Sequence, residues 1–235
     1  MEPLLTKSPI SLAPGSESLK LDFAGGIGQN GGRSQILPEA ILEVGAASRW
    51  ELLVRFPLIR VNRSPQSGSV LGGGQLATGA RYQFLGNSDG KFAAAVQAVV
   101  EFPTGSSELV GGSAQVMPAI HADWRPFRDA IIYSNLTYDH TVGGPGPKST
   151  FLENSEAFSW RRLARVVPTL EFSSSTNLVL HRTGMVIVPE AIVPIGPHLE
   201  VKVGLQKALT ANTPCLGIRT QVAWFWGTSG AKRDH

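Results

Sequence analysis

Apolar and polar side chains alternate with a period of two residues along most of this 235-residue chain. The segments RWELLVRFPL (49–58), LEVKVGLQ (199–206) and LGIRTQVAWFW (216–226) show the pattern clearly. Because successive side chains of a β-strand point to opposite faces, the pattern predicts strands with one apolar and one polar face. Alternation of this kind fits a barrel or a sandwich, in a membrane or in water.

Alternating segments occur about twelve times, with turn residues between them. The 26 Gly and 16 Pro residues, with many Val, Thr, Ser and aromatic residues, suit short strands joined by turns. Proline lacks the N–H that a strand ladder needs, so bulges or breaks are expected at Pro57, Pro118, Pro168 and Pro189. We predict strands over 17–26, 34–46, 48–61, 73–85, 90–103, 113–125, 128–141, 149–160, 163–174, 182–194, 197–209 and 214–227.

The connections between the predicted strands alternate between short and long. Short ones such as 46–48, 125–128 and 161–162 alternate with longer ones such as NRSPQSGSVLGG (62–73) and VGGPGPKS (142–149). Short turns at one end and long loops at the other are typical of outer-membrane barrels. The fold class predicted is therefore all-β, a single antiparallel up-and-down transmembrane β-barrel of about twelve strands.

Hydropathy and charge exclude other classes of protein. No run approaches the ~18 apolar residues of a membrane-spanning helix. The net charge of +3 comes from basic residues scattered among acidic ones, which argues against nucleic-acid binding. Residues 1–15 lack the basic start and apolar core of a signal peptide. We nevertheless expect the outer membrane of a Gram-negative bacterium, with the signal peptide removed or mis-assigned.

The direction in which the polar face points separates a membrane barrel from a soluble one. In a soluble ligand-binding barrel the apolar face would point inward, whereas in a membrane barrel charged side chains line the lumen. Tryptophans near strand ends, among them Trp50, Trp124 and Trp224, suit the interfacial girdles of a membrane barrel. The lumen-lining residues predicted on this basis are Arg49, Glu51, Arg55, Arg81, Glu101, Asp123, Glu171, Glu190, Lys202 and Arg219.

No catalytic residue, metal site or cofactor is predicted, and the chain is expected not to be an enzyme. His121 and Asp123 share the polar face of one strand, but Ser134 lies in the opposite phase of its own strand. Without a convergent serine there is no hydrolase triad, so His121 is interpreted as a hydrogen-bonding residue of the lumen. The single Cys215 forms neither an internal disulfide nor a zinc cluster.

Several segments resemble a known family of transporters. RWELLVRFPLIRV, ATGARYQFL, AVVEFPTG, RTGMVIVPEAIV, LEVKVGLQKALT and the terminal GIRTQVAWFW are similar to the family named for the MetA-pathway of phenol degradation. The resemblance covers most of the chain from Leu19 to Trp226. It implies an outer-membrane β-barrel that passes small hydrophobic or aromatic compounds, and it implies no catalytic residues.

The sequence thus predicts a flexible N-terminal tail over 1–16, a β-barrel over 17–227 and a C-terminal tail over 228–235. The predicted function is a porin-like channel or transporter for small, hydrophobic or aromatic, solutes. Its expected partners are the lipid bilayer, the outer-membrane assembly machinery and a small-molecule solute. Two alternatives stay open: a plugged structural or surface-interaction barrel of the outer membrane, and a soluble ligand-binding β-barrel. Residues 1–15 are interpreted as a plug, a periplasmic tail or the remnant of a leader.

Overall fold

The computed structural model describes residues 4–27, 33–64, 68–88, 90–106, 112–144, 148–163, 165–211 and 216–227. The predicted C-terminal tail and Cys215 lie outside these residues. No helix among them is long and apolar enough to span a membrane. They form thirteen strands: Ser16–Ile27 (β1), Arg33–Ala47 (β2), Trp50–Ser64 (β3), Gly68–Gly73 (β4), Ala77–Leu85 (β5), Phe92–Glu101 (β6), Ala114–Phe127 (β7), Ala130–Gly143 (β8), Thr150–Trp160 (β9), Val167–Asn177 (β10), Arg182–Ile195 (β11), Leu199–Ala208 (β12) and Leu216–Gly227 (β13).

The strands form one closed antiparallel sheet. Strands that follow each other in sequence are paired, except that β5 pairs with β3 and not with β4, and β13 pairs with β1 to close the ring. The short strand β4 and the strand β5 both pair with β3, at different heights along it, so together they occupy one place in the wall. Thirteen strands therefore build a barrel of twelve positions, which confirms the predicted fold class.

The prediction of one continuous strand over 73–85 is wrong at its start. The wall strand β5 begins at Ala77, while Gly68–Gly73 forms a separate hairpin with the distal part of β3. The interruption lies beside Pro57, whose carbonyl accepts a hydrogen bond of 2.7 Å from the amide of Gly74. Gly74 also has no room for a side chain, because a Cβ there would approach Pro57 Cγ to 2.5 Å. The long connection predicted over 62–73 is thus partly a strand.

The other internal prolines have smaller effects on the ladder. The pairing of β2 with β3 shifts register between Ile36 and Glu39, the stretch that contains Pro38. At Pro118 and Pro189 the ladder pairs with β8 and β12 are missing, and the register continues unchanged beyond them. The local breaks predicted at Pro118 and Pro189 are therefore confirmed, because the missing N–H leaves the partner carbonyl without a donor. The break predicted at Pro168 is absent from the ladder of β10 with β11, where the register runs on through this residue.

The apolar face of the strands points outward and the polar face points inward. On β3, Leu52 and Val54 are exposed, whereas Glu51 between its apolar neighbours is fully buried. The same holds on β12, where Val203 and Leu205 are exposed and Lys202 is buried. A soluble barrel would have the opposite arrangement, because its apolar face must leave water. The outer surface is therefore suited to lipid and the inner surface to polar contacts.

All five tryptophans lie at the end of the barrel that carries the short turns. Trp50 begins β3, Trp160 ends β9, and Trp224 and Trp226 lie at the end of β13, next to the start of β1. Tryptophan prefers the interface between hydrocarbon and water. These residues mark where one membrane surface meets the barrel.

Replacing Val54 with arginine tests the outward orientation. Val54 is exposed on β3, four residues from Trp50, which places it roughly 10 Å from the tryptophan level at the usual strand rise and tilt. In a bilayer we expect Val54→Arg to lower the free energy of unfolding by ~2–4 kcal/mol. Urea unfolding in lipid vesicles, followed by tryptophan fluorescence, measures this change. Val54→Ala is the control, and an equally small effect of both variants would contradict a lipid-facing Val54.

Candidate functional site: the lumen and the N-terminal segment

Nine of the ten predicted lumen-lining residues lie on inward-facing strand positions. Glu51, Arg81, Asp123, Glu171, Glu190 and Lys202 are buried there, and Arg55, Glu101 and Arg219 are partly buried. Arg49 lies elsewhere, in the tight turn between β2 and β3, with an exposed side chain and a φ of 69°. A left-handed backbone conformation belongs to a turn and not to a strand, so Arg49 falls just outside the alternation that starts at Trp50.

The neighbouring strands β3 and β5 hold a buried ion pair. The guanidinium of Arg81 donates a hydrogen bond of 2.6 Å from Nη2 to Glu51 Oε1, and both side chains are almost completely buried. These two residues are direct partners in the register of the two strands. Opposite charges at facing positions compensate for the loss of hydration that each ion would suffer alone.

Two further ionic groups are formed by residues of the inward face on other strands. Lys20 of β1 lies 2.8 Å from the carboxylate of Glu43 of β2, which also accepts a hydrogen bond of 2.8 Å from Ser18 Oγ. Lys202 of β12 lies 3.4 Å from Glu200 and donates to the side-chain oxygen of Gln221. The short-turn half of the lumen is thus filled with paired charges.

A fourth group lies nearer the long-loop end. Arg55 of β3 contacts two carboxylates, Glu39 of β2 at 3.3 Å and Glu101 of β6. At the short-turn end of β7, Arg125 donates a hydrogen bond of 2.8 Å to Asp123. Six carboxylates of the described part of the lumen are thus in ion pairs, namely Glu39, Glu43, Glu51, Glu101, Asp123 and Glu200, and both signs of charge are present along its length.

The N-terminal segment, defined here as residues 4–13, runs through the lumen. The carboxylate of Glu171 accepts hydrogen bonds from the amides of Leu5 at 3.0 Å and Thr6 at 2.9 Å. Glu190 accepts one of 3.1 Å from the amide of Leu4. Lumen carboxylates thereby satisfy backbone donors that have no strand partner, which is required wherever backbone is buried. The mobility predicted for residues 1–16 stays a prediction.

The later part of the N-terminal segment contacts the opposite wall. Arg81 donates to the carbonyl of Ser8 at 2.8 Å, and Glu51 accepts a hydrogen bond of 2.9 Å from the amide of Leu12. The side-chain oxygen of Gln83 accepts a hydrogen bond of 3.1 Å from the amide of Ser11. The ion pair between Arg81 and Glu51 therefore also anchors the N-terminal segment.

A third anchor lies between these two, on the wall formed by β7 and β8. The side-chain amide of Asn135 is oriented with its nitrogen towards two acceptors. It donates to the carbonyl of Lys7 at 3.0 Å and to His121 Nδ1 at 2.9 Å. The buried His121 is thus a hydrogen-bonding residue of the lumen, as the sequence predicted.

The order of the strands shows that the N-terminal segment crosses the barrel from side to side. Glu171 and Glu190 lie on β10 and β11, and Glu51 and Arg81 lie on β3 and β5, six places away in the ring of twelve. Twelve strands ~4.8 Å apart and tilted by ~40° enclose a backbone diameter of roughly 24 Å. The eight steps from Leu4 to Leu12 reach at most about 28 Å when extended. The segment is therefore just long enough to span the lumen.

Two glycines on the wall make room for the N-terminal segment. A Cβ on Gly45 of β2 would approach the carbonyl oxygen of Ala13 to 2.1 Å, and the carbonyl of Gly45 accepts a hydrogen bond from Gly15. On β12, a Cβ on Gly204 would lie 2.8 Å from Leu4 Cδ1. The contact at Gly45 requires a wall position without a side chain, because it is made with the backbone of Ala13, whereas Leu4 Cδ1 beside Gly204 is the end of a flexible side chain.

Sequence reasoning missed part of this site. Asn135 and Gln221 are uncharged and were not selected, although each lies in phase with the inward face of its strand. Position in the alternation was the signal that would have found them. The contacts of residues 4–13 had no signal at all, because the segment carries no alternation and its backbone is bound by side chains distant in sequence.

No family model matches the chain, and no curated protein is similar to it in sequence. Solved structures do share its fold. The COG4313 outer membrane channel from Pseudomonas putida F1 has a TM-score of 0.73 at 10% identity, covering 96% of this chain and 100% of that one. The NanC porin has a TM-score of 0.61 at 7% identity, covering 90% and 99%. The KdgM porin has a TM-score of 0.60 at 12% identity, covering 88% and 98%. The chain therefore has the fold of an outer-membrane β-barrel.

Proposed function

We propose that this protein is a porin-like channel of the outer membrane that passes small solutes, hydrophobic and aromatic ones included. The observation that carries the proposal is the closed barrel with apolar side chains outside and charged side chains inside. Such a surface is stable only with lipid around it, and such a lumen offers water and solutes a polar wall. Three solved structures of the same fold bear the names channel or porin.

The N-terminal segment supports the restriction to small solutes. A barrel of twelve positions encloses more space than side chains alone fill. Here a chain of backbone also crosses that space and is held from both walls. Any route through the lumen must pass beside this segment, which excludes wide solutes. The preference for hydrophobic and aromatic compounds rests on the resemblance to the phenol-degradation transporters.

The nine inward-facing predicted residues are proposed to line the route. They carry both signs of charge: Arg81 pairs with Glu51 on the adjacent strand, Arg55 pairs with Glu101, and Lys202 pairs with Glu200 on its own strand. Paired charges produce a weak net field in the lumen. We therefore expect weak ion selectivity, with specificity set by the width of the route.

A second candidate function, a plugged structural or surface-interaction barrel, is favoured by the same N-terminal segment. If Glu171, Arg81 and Asn135 hold the segment permanently, the lumen stays closed. The long loops would then provide the functional surface. The two candidates differ in one measurable property, the passage of ions through the native lumen.

Planar-bilayer recording of the full chain separates the two candidates. We expect small, discrete conductance steps with little preference between cations and anions. Heat-modifiable mobility on gels serves as the control that the barrel is folded. Liposome swelling should then show faster entry of a monohydric phenol than of a disaccharide. Folded protein that stays silent in both assays would reject the channel in favour of the plugged barrel.

A further inference from the structure

The outer wall carries a cluster of polar side chains on three adjacent strands. On β8, β9 and β10 the outward positions include Ser134, Glu156, Asn154, Ser174 and Thr176, all half-buried. In the register, Ser134 faces Glu156, and Asn154 faces Ser174. These five side chains therefore form one continuous patch, called the β8–β10 patch below.

The side chains of the patch are linked to each other and to the strand that follows. Ser134 Oγ donates a hydrogen bond of 2.7 Å to Glu156 Oε1. Thr176 Oγ1 lies 3.0 Å from Thr183 Oγ1 on β11. The outward direction of the patch follows from its neighbours, because Tyr133, Asn135, Ser155 and Ala157 are buried on the inward face of the same strands.

Glu156 lies at the depth where a carboxylate is least suited to lipid. It is four residues from Trp160, or roughly 10 Å above the tryptophan level at the usual strand rise and tilt. The apolar band of an outer-membrane barrel is ~25 Å tall, so this position is near its middle. Among the described strand positions, the other outward-facing carboxylate is Glu17, which lies at the rim and hydrogen-bonds to Trp226 Nε1.

Ionisable groups that face the interior of a membrane mark functional contacts, since lipid provides no hydrogen bonds for them. A protein surface that binds Glu156 must offer hydrogen-bond donors at the same depth in the membrane. The β8–β10 patch itself carries such donors, in the amide of Asn154 and the hydroxyl group of Ser174, next to Glu156, whose Oε1 already accepts a hydrogen bond from Ser134. The patch is therefore complementary to a second copy of itself.

We propose that the β8–β10 patch is the interface of a homodimer within the membrane. A two-fold axis along the membrane normal brings the same surface of two barrels together at the same depth. β9 lies nearest the axis, and the carboxylate of Glu156 accepts hydrogen bonds from Asn154 of the second copy. The exposed Leu152 and Phe158, which flank these residues on β9, pack at the margins of the contact.

Cysteine cross-linking in intact membranes tests the interface. In a Cys215→Ser background, Leu152→Cys, at the margin of the contact on β9, is expected to form a covalent dimer with a short bis-maleimide reagent. The matched control is Leu42→Cys, which is also exposed and outward-facing but lies on β2, six places around the ring from β9. Cross-linking of the Leu152→Cys variant and not of the Leu42→Cys variant supports the interface. Equal or absent cross-linking in both variants overturns it.

Substitution of Glu156 tests the role of the carboxylate. Added to the Leu152→Cys variant, which leaves Asn154 in place, Glu156→Leu is expected to reduce the cross-linked fraction at least several-fold, while Glu156→Gln, which retains an acceptor oxygen, keeps most of it. Both variants should retain heat-modifiable mobility, which shows a folded barrel. If Glu156→Leu cross-links as efficiently as the parent, the carboxylate does not hold a dimer and the proposal is wrong. Planar-bilayer recording tests passage through the lumen and does not depend on dimer formation, so the channel function and the homodimer can each be rejected without the other.

Discussion

Deletion of residues 1–13 is expected to raise the single-channel conductance several-fold. The N-terminal segment crosses the lumen and is held by Glu171 on one wall and by Arg81 on the other. Without it, a barrel of twelve positions retains an aqueous space that its side chains do not fill. Planar-bilayer recording of the deletion variant and the full chain in the same salt measures the difference.

A peptide supplies the control for this deletion. A synthetic peptide with the sequence of residues 1–15, added to the deletion variant, should lower the conductance towards the value of the full chain. A peptide of the same composition in scrambled order should not. The deletion variant must still show heat-modifiable mobility, because β1 starts at Ser16 and lies outside the deleted residues. An unchanged conductance after deletion would mean that the N-terminal segment does not limit the route.

Replacement of Arg81 is expected to have the largest effect on stability. Arg81 is buried, pairs with Glu51 at 2.6 Å and donates to the carbonyl of Ser8. Arg81→Met leaves the carboxylate of Glu51 buried without its cation, and breaking a buried pair in this way costs ~3–5 kcal/mol. Urea unfolding in lipid vesicles measures the loss of stability.

Two further variants separate the ion pair from other causes. The double variant Glu51→Leu with Arg81→Met removes both charges and should regain much of the lost stability, because no ion stays unpaired. Arg128→Met changes an exposed residue of the turn between β7 and β8 and should alter the free energy of unfolding by less than about 0.5 kcal/mol. If the double variant is as unstable as Arg81→Met, the cost arises from lost packing or from the released N-terminal segment, and not from the unpaired charge.

Arg81→Met also connects stability with transport. The same guanidinium that neutralises Glu51 binds the N-terminal segment, so its loss should loosen the segment as well. We expect conductance steps of Arg81→Met to lie between those of the full chain and the deletion variant. Because unfolding and conductance are measured separately, the two roles of Arg81 are distinguishable.

Most of the architecture follows from local sequence. The alternation around Trp50 and around Trp224 places the strands, and the lengths of the connections order them up and down. Inward-facing charges such as Glu51 and Lys202 follow from the phase of that alternation. These properties are predictable because a strand exposes every second side chain to the same environment over its whole length.

Two local features differ from the pattern and set the limits of the prediction. Arg49 belongs to the turn before β3, since its backbone is left-handed there. The hairpin of β3 and β4 continues beyond Pro57, which removes one donor from the ladder. Gly74 lies against the ring of Pro57, where a side chain would not fit. Composition marks such sites as turns or breaks, but it does not tell where pairing resumes.

The sequence by itself determined a barrel of twelve strand positions, the outward direction of its apolar face and most residues of its polar lumen. Only the tertiary structure decided what occupies that lumen and which part of the outer wall is polar. The N-terminal segment is held by side chains more than a hundred residues away, such as Glu171 and Glu190. The β8–β10 patch exists because register places Ser134, Glu156 and Ser174 on neighbouring strands. Both depend on contacts between distant parts of the chain, which periodicity along one strand does not encode.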